Sequence, residues 1–227
     1  MSEEIEEQIE GMVDKDKKYR NRLIANIKHK KDHPFHNGIH MAAHHLISNK
    51  GVLISELGDV LVHRGYNINL VENLVFLPST LQGACQLRVQ LHRYNHTYAL
   101  PNQAAYHVQV ASALVKVRTK VLKCVPKVTG SNNEIQSMLN SISEDILQKV
   151  AEFRIPLTPI FNNFKPSSKT GCANKVEISE CKGVLDRCNQ ERNHNGELDF
   201  LNPKAEFYKS GKIIDYNKSY YKLRVGR

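Results

Sequence analysis

The chain has 227 residues, of which 41% are hydrophobic and 24% charged, and its 32 Lys+Arg against 23 Asp+Glu give a formal net charge of +9. Such a composition belongs to a globular chain able to bury a core; no apolar run approaches the roughly 20 residues of a membrane helix, and five cysteines, odd in number and unevenly spread, exclude a disulfide scaffold and point to a reducing compartment. The positive balance suits a polyanionic partner, because neutralising phosphates releases counterions.

The start, Met1-Ser2-Glu3-Glu4-Ile5-Glu6-Glu7, is acidic where a secretory signal is basic and then apolar, so export would take another route. Residues 1–32 read as a charged helical segment, acidic first and then basic, with Ile5, Ile9, Met12 and Leu23 as a thin apolar stripe. That pattern predicts an exposed docking arm, or a basic arm laid on phosphates. Pro34 and Gly38 then break it ahead of a histidine-rich run. His44-His45 leads into the apolar pair Leu46-Ile47, as at the end of a strand, where one imidazole can hold a metal and its neighbour can take a proton. His36, His40 and His44 also recur at i,i+4, but Pro34 and Gly38 weaken any helix that would stack them.

Residues 54–65 predict a short helix closed by Gly65. Asn73 stands directly before a β-rich run that Pro78 ends, where it either braces a neighbouring loop or simply forms a turn. His92 and His96, again at i,i+4, would share one face of a helix. A further helix is predicted over 102–123, with Ala105, Val108, Ala111, Leu114, Val115 and Leu122 apolar and Lys116, Arg118, Lys120 and Lys123 on the remainder. Another, amphipathic, is predicted over 134–153, with Ile135, Met138, Leu139, Ile142, Ile146, Leu147 and Val150 apolar at helical spacing. Pro156, Pro159 and Pro166 lead into a C-terminal extension, 166–227. There Cys172, Cys181, Cys188 and His194 lack the short spacings of a zinc site, leaving zinc, disulfide or free thiols open. Residues 204–216 predict a hairpin, and the final Lys218, Lys222, Arg224 and Arg227 alternate with tyrosines that suit an edge strand or a surface for bases and phosphates.

His44, His45, His92 and His96 together offer what phosphodiester hydrolysis needs: neutral imidazoles to hold a divalent cation and one more to deprotonate water. The order Ala43-His44-His45-Leu46-Ile47, then residues 67–78 with Asn73, then His92-x-x-x-His96 resembles the AHH nucleases, toxin modules of the HNH/endonuclease VII (His-Me finger) superfamily. The resemblance implies an α+β fold, mainly helical, with a small ββα-metal core: a strand with the histidine pair, a loop with the central asparagine, a second strand, and a helix bringing further ligands. It implies His44, His92 and His96 as ligands of one divalent metal (Mg, Mn, Ni or Zn), His45 as general base and Asn73 as the residue orienting the base-bearing loop. Arg93, Lys116 and Lys120 are the expected nucleic-acid contacts.

By the same resemblance, residues 33–165 form the nuclease domain, with helical additions. Its action would be that of an endonuclease toxin in the cytoplasm of a rival bacterial cell, on DNA in preference to RNA, delivered without a signal peptide by a type VI-like apparatus or carrier. Its partners would include an acidic immunity protein and no membrane. Ser48, Leu74 and the Arg93-Tyr94-Asn95 spacer depart from residues usual in relatives, which bears on loop geometry but removes no proposed ligand. The readings from other classes are a basic metal- and nucleic-acid-binding module without catalysis, and an RNase toxin of the same superfamily.

Overall fold

Two short apolar segments pair first. Met41–His45 forms β1 and Leu74–Pro78 forms β2, antiparallel, with Met41 opposite Pro78 and His45 opposite Leu74. A computed structural model of the chain describes residues 11–37, 39–93, 95–123, 134–167 and 221–227. Among them lie α1 (Tyr19–Ile27), α2 (Asn49–Ser55), α3 (Gly58–His63), α4 (Leu81–Leu87), α5 (Tyr106–Lys116), α6 (Arg118–Val121) and α7 (Glu134–Ala151), packed around the two-stranded sheet. The class is α+β, as expected. No helix of the described residues is long and apolar enough to cross a membrane.

Every residue of β2 is buried, and its alternate side chains serve two cores. Val75 and Leu77 pack with Leu46, Ile47 and the inward faces of α2, α3, α5 and α7. Leu74 and Phe76 pack on the other side with Met41, Ala43 and the α1 residues Leu23 and Ile27. An uninterrupted apolar run is what burial on both faces demands. It also corrects the reading of the N-terminal segment as a solvated arm: Leu23 and Ile27, at i,i+4, are 0% exposed because they roof the Leu74 and Phe76 side of the sheet. The segment ahead of α1 joins in through a parallel bridge between Met12 and Asn67.

The far end of the chain closes the outer edge of β2. Phe76 N–H donates to the Arg227 carbonyl (2.6 Å), Gly226 N–H donates to the Leu74 carbonyl (2.7 Å), and Asn26 Nδ2 of α1 donates to the Gly226 carbonyl (2.7 Å). Gly226 sits at φ 74, a left-handed conformation that suits glycine. Tyr221 is spent internally, its hydroxyl 3.0 Å from His33 Nε2, rather than offered to bases; Lys222 and Arg224 are exposed. Cys172, Cys181, Cys188, His194, the expected hairpin and Tyr216, Lys218 and Tyr220 lie outside the described residues.

The helices differ from expectation at breaks in the backbone path. The helix expected over 54–65 is two. Ser48 caps α2 through its hydroxyl, which accepts the Gly51 N–H, Glu56 ends α2 at φ 58, and α3 then runs up to Arg64 and Gly65. The helix expected over 102–123 breaks at Val117 into α5 and α6, and its inward face carries Tyr106, Val110, Ala111 and Leu114 while Val108, Val115 and Leu122 are exposed. His36, His40 and His44 do not stack, because residues 34–37 form a single 3-10 turn and His44 lies in a strand.

Helices α2 and α5 approach at Gly51, where an added Cβ would stand 2.5 Å from Val110 Cγ1. Gly51→Ala would gain about 1 kcal/mol of helix propensity, but overpacking costs about 1–3 kcal/mol. The variant is expected to unfold at lower urea, and its cost is expected to shrink when combined with Val110→Ala, as read from a double-mutant cycle.

Candidate functional site

His44 and His45 are consecutive residues of β1, so their side chains leave the strand on opposite faces. His44 faces two histidines from a distant part of the chain. Its ring centroid lies 4.9 Å from that of His92 and 5.1 Å from that of His96, and the latter two are 4.9 Å apart. One nitrogen from each of the three lies within 4.8 Å of the others.

Among the described residues, the helix expected to carry His92 and His96 is absent, since 92, 93, 95 and 96 lie in no helix. The chain is irregular there, and convergence comes from anchors along it. His92 N–H donates to the Pro78 carbonyl (2.8 Å), Arg93 Nε to the Ser79 carbonyl (2.9 Å), and His96 adopts φ 51, a rare conformation for a residue with a side chain, which turns its ring back. Before His92, the fully buried Gln90 donates to the Val150 and Ile155 carbonyls and accepts the Leu157 N–H. The Leu157 carbonyl in turn takes His96 Nδ1 at 3.0 Å.

These partners fix which nitrogens are free. A carbonyl only accepts, so His96 carries its proton on Nδ1 and keeps the Nε2 lone pair. The Tyr106 hydroxyl donates to the Leu46 carbonyl (2.7 Å), so it accepts from His44 Nε2 (2.8 Å) and leaves Nδ1 of His44 with a lone pair. Burial pushes His44 well below the ordinary histidine range and His92 down to about 3, with the neighbouring imidazoles adding to it; His96 is also lowered by burial, partly offset by Leu157. Three neutral imidazoles with lone pairs to share, two of them held by acceptors on the opposite nitrogen, suit a divalent metal.

His45 does not join the trio. Its ring lies against Tyr19 (4.5 Å between centroids), and its Nε2 is 3.0 Å from Asn69 Oδ1. Asn69 Nδ2 donates to the Asp14 carbonyl, so the amide orientation is set and Oδ1 accepts; His45 therefore carries its proton on Nε2 and has its Nδ1 lone pair free. Burial pushes His45 down to about 4, and a proton there would in turn disfavour charge on His44 and His92. Asn73, fully buried, uses its whole amide: Oδ1 accepts from Ile47 N–H (2.6 Å) and Ser143 Oγ (2.8 Å), and Nδ2 donates to the Ile47 and Ile68 carbonyls (2.9 Å each).

Of the residues expected on nucleic acid, Arg93 is half-buried and tied to Ser79. Lys116 and Lys120 are exposed at the far end of α5 and on α6, about 15 Å or more along the helix from Tyr106. Asn69, Gln90, Tyr106 and His107 were not legible as site residues. His107 lies 6.1 Å from His96 ring to ring, but donates from Nε2 to the Asn95 carbonyl (2.8 Å) and accepts from Ser48 Oγ (2.8 Å), so it braces the His92–His96 loop against the cap of α2. Ser48, the departure noted in the sequence, earns its place there.

A family model described as a nuclease family of the HNH/ENDO VII superfamily with conserved AHH matches residues 25–146. No curated protein and no solved structure matches the chain.

The burial of these histidines links stability to pH. Between the ordinary value of 6.5 and the folded values of about 4 for His45 and about 3 for His92, the unfolded chain binds protons that the folded chain refuses. Their contribution is full above 6.5 and is lost as the pH falls below it. The urea midpoint of the metal-free protein is expected to drop between about pH 7.5 and about pH 5, and to drop less in His92→Gln. Equal drops in the two proteins would mean that His92 titrates as it does in water.

Proposed function

Because this chain belongs to the AHH family, nucleases of the HNH/ENDO VII superfamily, we propose that it is a metal-dependent endonuclease, with DNA as the favoured substrate. The observation that carries the reading is the meeting of His44, His92 and His96, from two distant parts of the chain, beside a second neutral histidine on the same strand. His44 Nδ1, His96 Nε2 and one nitrogen of His92 would hold the cation. Bound there, a divalent ion supplies charge stabilisation for the phosphate and the departing oxygen.

His45, neutral at physiological pH and oriented by Asn69, accepts at Nδ1 the proton of a water molecule whose oxygen attacks phosphorus. The bond from phosphorus to O3′ breaks, O3′ takes a proton from solvent, and the products carry a 5′-phosphate and a 3′-hydroxyl. Asn73 keeps the residues after His45 in place through both polar groups of Ile47. Arg93, Lys116 and Lys120 contribute positive charge for flanking phosphates, and the net charge of +9 draws the polyanion in.

The biological setting we propose is that of a toxin delivered into a rival bacterial cell by a type VI-like apparatus or carrier. An enzyme of this kind requires an immunity protein in the cell that makes it, and the charge of this chain favours an acidic one. Residues 33–165 are proposed to carry the nuclease chemistry, supported by contacts from 11–32 and 221–227.

The protein is expected to nick plasmid with at least one of Mg²⁺, Mn²⁺, Ni²⁺ or Zn²⁺, and a chelator is expected to stop it. His45→Ala is expected to cut the rate about 10²–10⁴-fold, the range of a lost general base. Nicking at equal rates in wild type and His45→Ala would remove His45 from that role, and no nicking with any metal would favour the binding module. Degraded RNA beside intact plasmid would identify an RNase. Tyr106→Phe, which deletes the acceptor of His44, is expected to weaken metal affinity about 10- to 100-fold in a Co²⁺ or Zn²⁺ titration, with the thermal midpoint of the metal-free protein as the check on folding.

A further inference from the structure

The residues ahead of α1 form a strap that ends at the histidines. Met12 N–H donates to the Tyr66 carbonyl (2.8 Å) and the Met12 carbonyl accepts from Ile68 N–H (2.9 Å), which lays the strap along the loop before β2. Asn49 Nδ2 donates to the Val13 carbonyl (3.0 Å) and to Asp14 Oδ1 (2.9 Å). Asn69 then holds both flanks of the next residue, donating from Nδ2 to the Asp14 carbonyl (2.8 Å) and accepting the Asp16 N–H at Oδ1 (3.2 Å), the same oxygen that meets His45. The residue between is Lys15, whose side chain is exposed.

Lys15 is therefore fixed at its backbone within one side chain of His45. Its charge bears on the whole site, lowering the pKa of His44, His45, His92, His96 and His107, although these come from β1, the irregular segment after α4, and α5. Of the neighbouring carboxylates, Asp16 is paired with Arg22 and Asp14 accepts from Asn49 Nδ2, so both are turned to other partners although Asp16 still favours charge on His45. Among the described residues no ion pair neutralises Lys15. An exposed lysine on a strap anchored beside His45, next to neutral imidazoles, is a place for an anion.

We propose that Lys15 is a phosphate-contacting residue of this site, presented by the strap of residues 12–16 to a phosphodiester of the substrate strand lying beside His45. The assignment rests on the nuclease reading for the identity of the anion, and on the strap geometry for its place. The strap precedes the family match, which begins at residue 25, so the contact is an addition of this chain to the matched region.

The test measures binding of a short single-stranded phosphorothioate oligonucleotide by fluorescence anisotropy over a series of salt concentrations, beside plasmid nicking. Lys15→Ala is expected to weaken binding and to flatten the plot of log K against log salt by about 0.7, the share of one phosphate contact on a single strand. Lys15→Arg keeps the slope, and Lys17→Ala, which removes the same charge two residues further on, just past the strap, leaves it near wild type. Nicking by Lys15→Ala is expected to fall at least about tenfold, a modest loss beside that of an oxyanion donor. Equal slopes for wild type and Lys15→Ala, or equal losses for Lys15→Ala and Lys17→Ala, would overturn the assignment. A wild-type protein that cleaves nothing but binds with a Lys15-dependent slope would sink the nuclease reading and leave the phosphate contact standing. One that cleaves, and is matched by Lys15→Ala in both readouts, would do the reverse.

Discussion

One buried amide holds the site together. Asn73 makes four hydrogen bonds, two to the peptide groups of Ile47, one to Ile68 and one to Ser143 of α7, and its own carbonyl accepts the Leu46 N–H. The residues that follow the histidine pair are thereby tied to the loop before β2 and to a helix seventy residues away. Each group so held lies in the interior, where an amide stripped of its partners costs about 1–3 kcal/mol per unmade bond. That penalty is why the direction in which the chain leaves β1 is fixed, and with it the positions of Leu46, whose carbonyl anchors Tyr106, and of His44, which Tyr106 orients.

A second chain of contacts does the same for the opposing histidines. Gln90 fastens the turn after α7, the Leu157 carbonyl in that turn accepts a hydrogen bond from His96 Nδ1, and His107 links the loop to the cap of α2. The two chains meet along α5, where Tyr106 serves the first and His107, bonded to Ser48, the second, and at the imidazoles. Burial keeps these neutral, so no repulsion opposes their approach to one another at physiological pH, and each keeps a lone pair for a cation.

The parts of this arrangement that could be read from sequence are those with a local cause. Both strands, the position of Asn73 before β2 and the long amphipathic α7 follow from apolar runs, a proline stop and helical periodicity, and the chain segments carrying the trio are marked by the histidines themselves. The spacing of His92 and His96 misleads, because i,i+4 is compatible with a helix and equally with a turn in which His96 is left-handed, and the anchors that choose between them, Pro78, Ser79 and Leu157, are tertiary. His44 and His45 look alike in sequence, yet strand alternation sends one to the trio and the other to Tyr19 and Asn69. Asn69, Gln90, Tyr106 and His107 carry no local signature at all, since a buried amide or phenol acquires its role only from the partner that the fold brings to it. The burial of α1 was hidden by its charge: the thin stripe of Leu23 and Ile27 suffices because the strand it covers is apolar on that face too.

The matched region, 25–146, does not contain its own support. Leu157 lies after it and sets the proton on His96; Val150 and Ile155, also after it, hold Gln90. Asp14 and Asp16 lie before it and orient the amide that holds His45, and Gly226 and Arg227, at the other extreme of the sequence, satisfy the outer edge of β2. An edge strand without those bonds exposes unpaired peptide groups, and an imidazole without its acceptor loses its fixed tautomer. The histidines come from the segments that define the family, but the electrostatic state in which they meet comes from residues contributed by both flanks. Assembly of the site is therefore coupled to folding of the flanks, and a fragment cut at the limits of the match would keep the histidines while losing the contacts that decide which of their nitrogens is free.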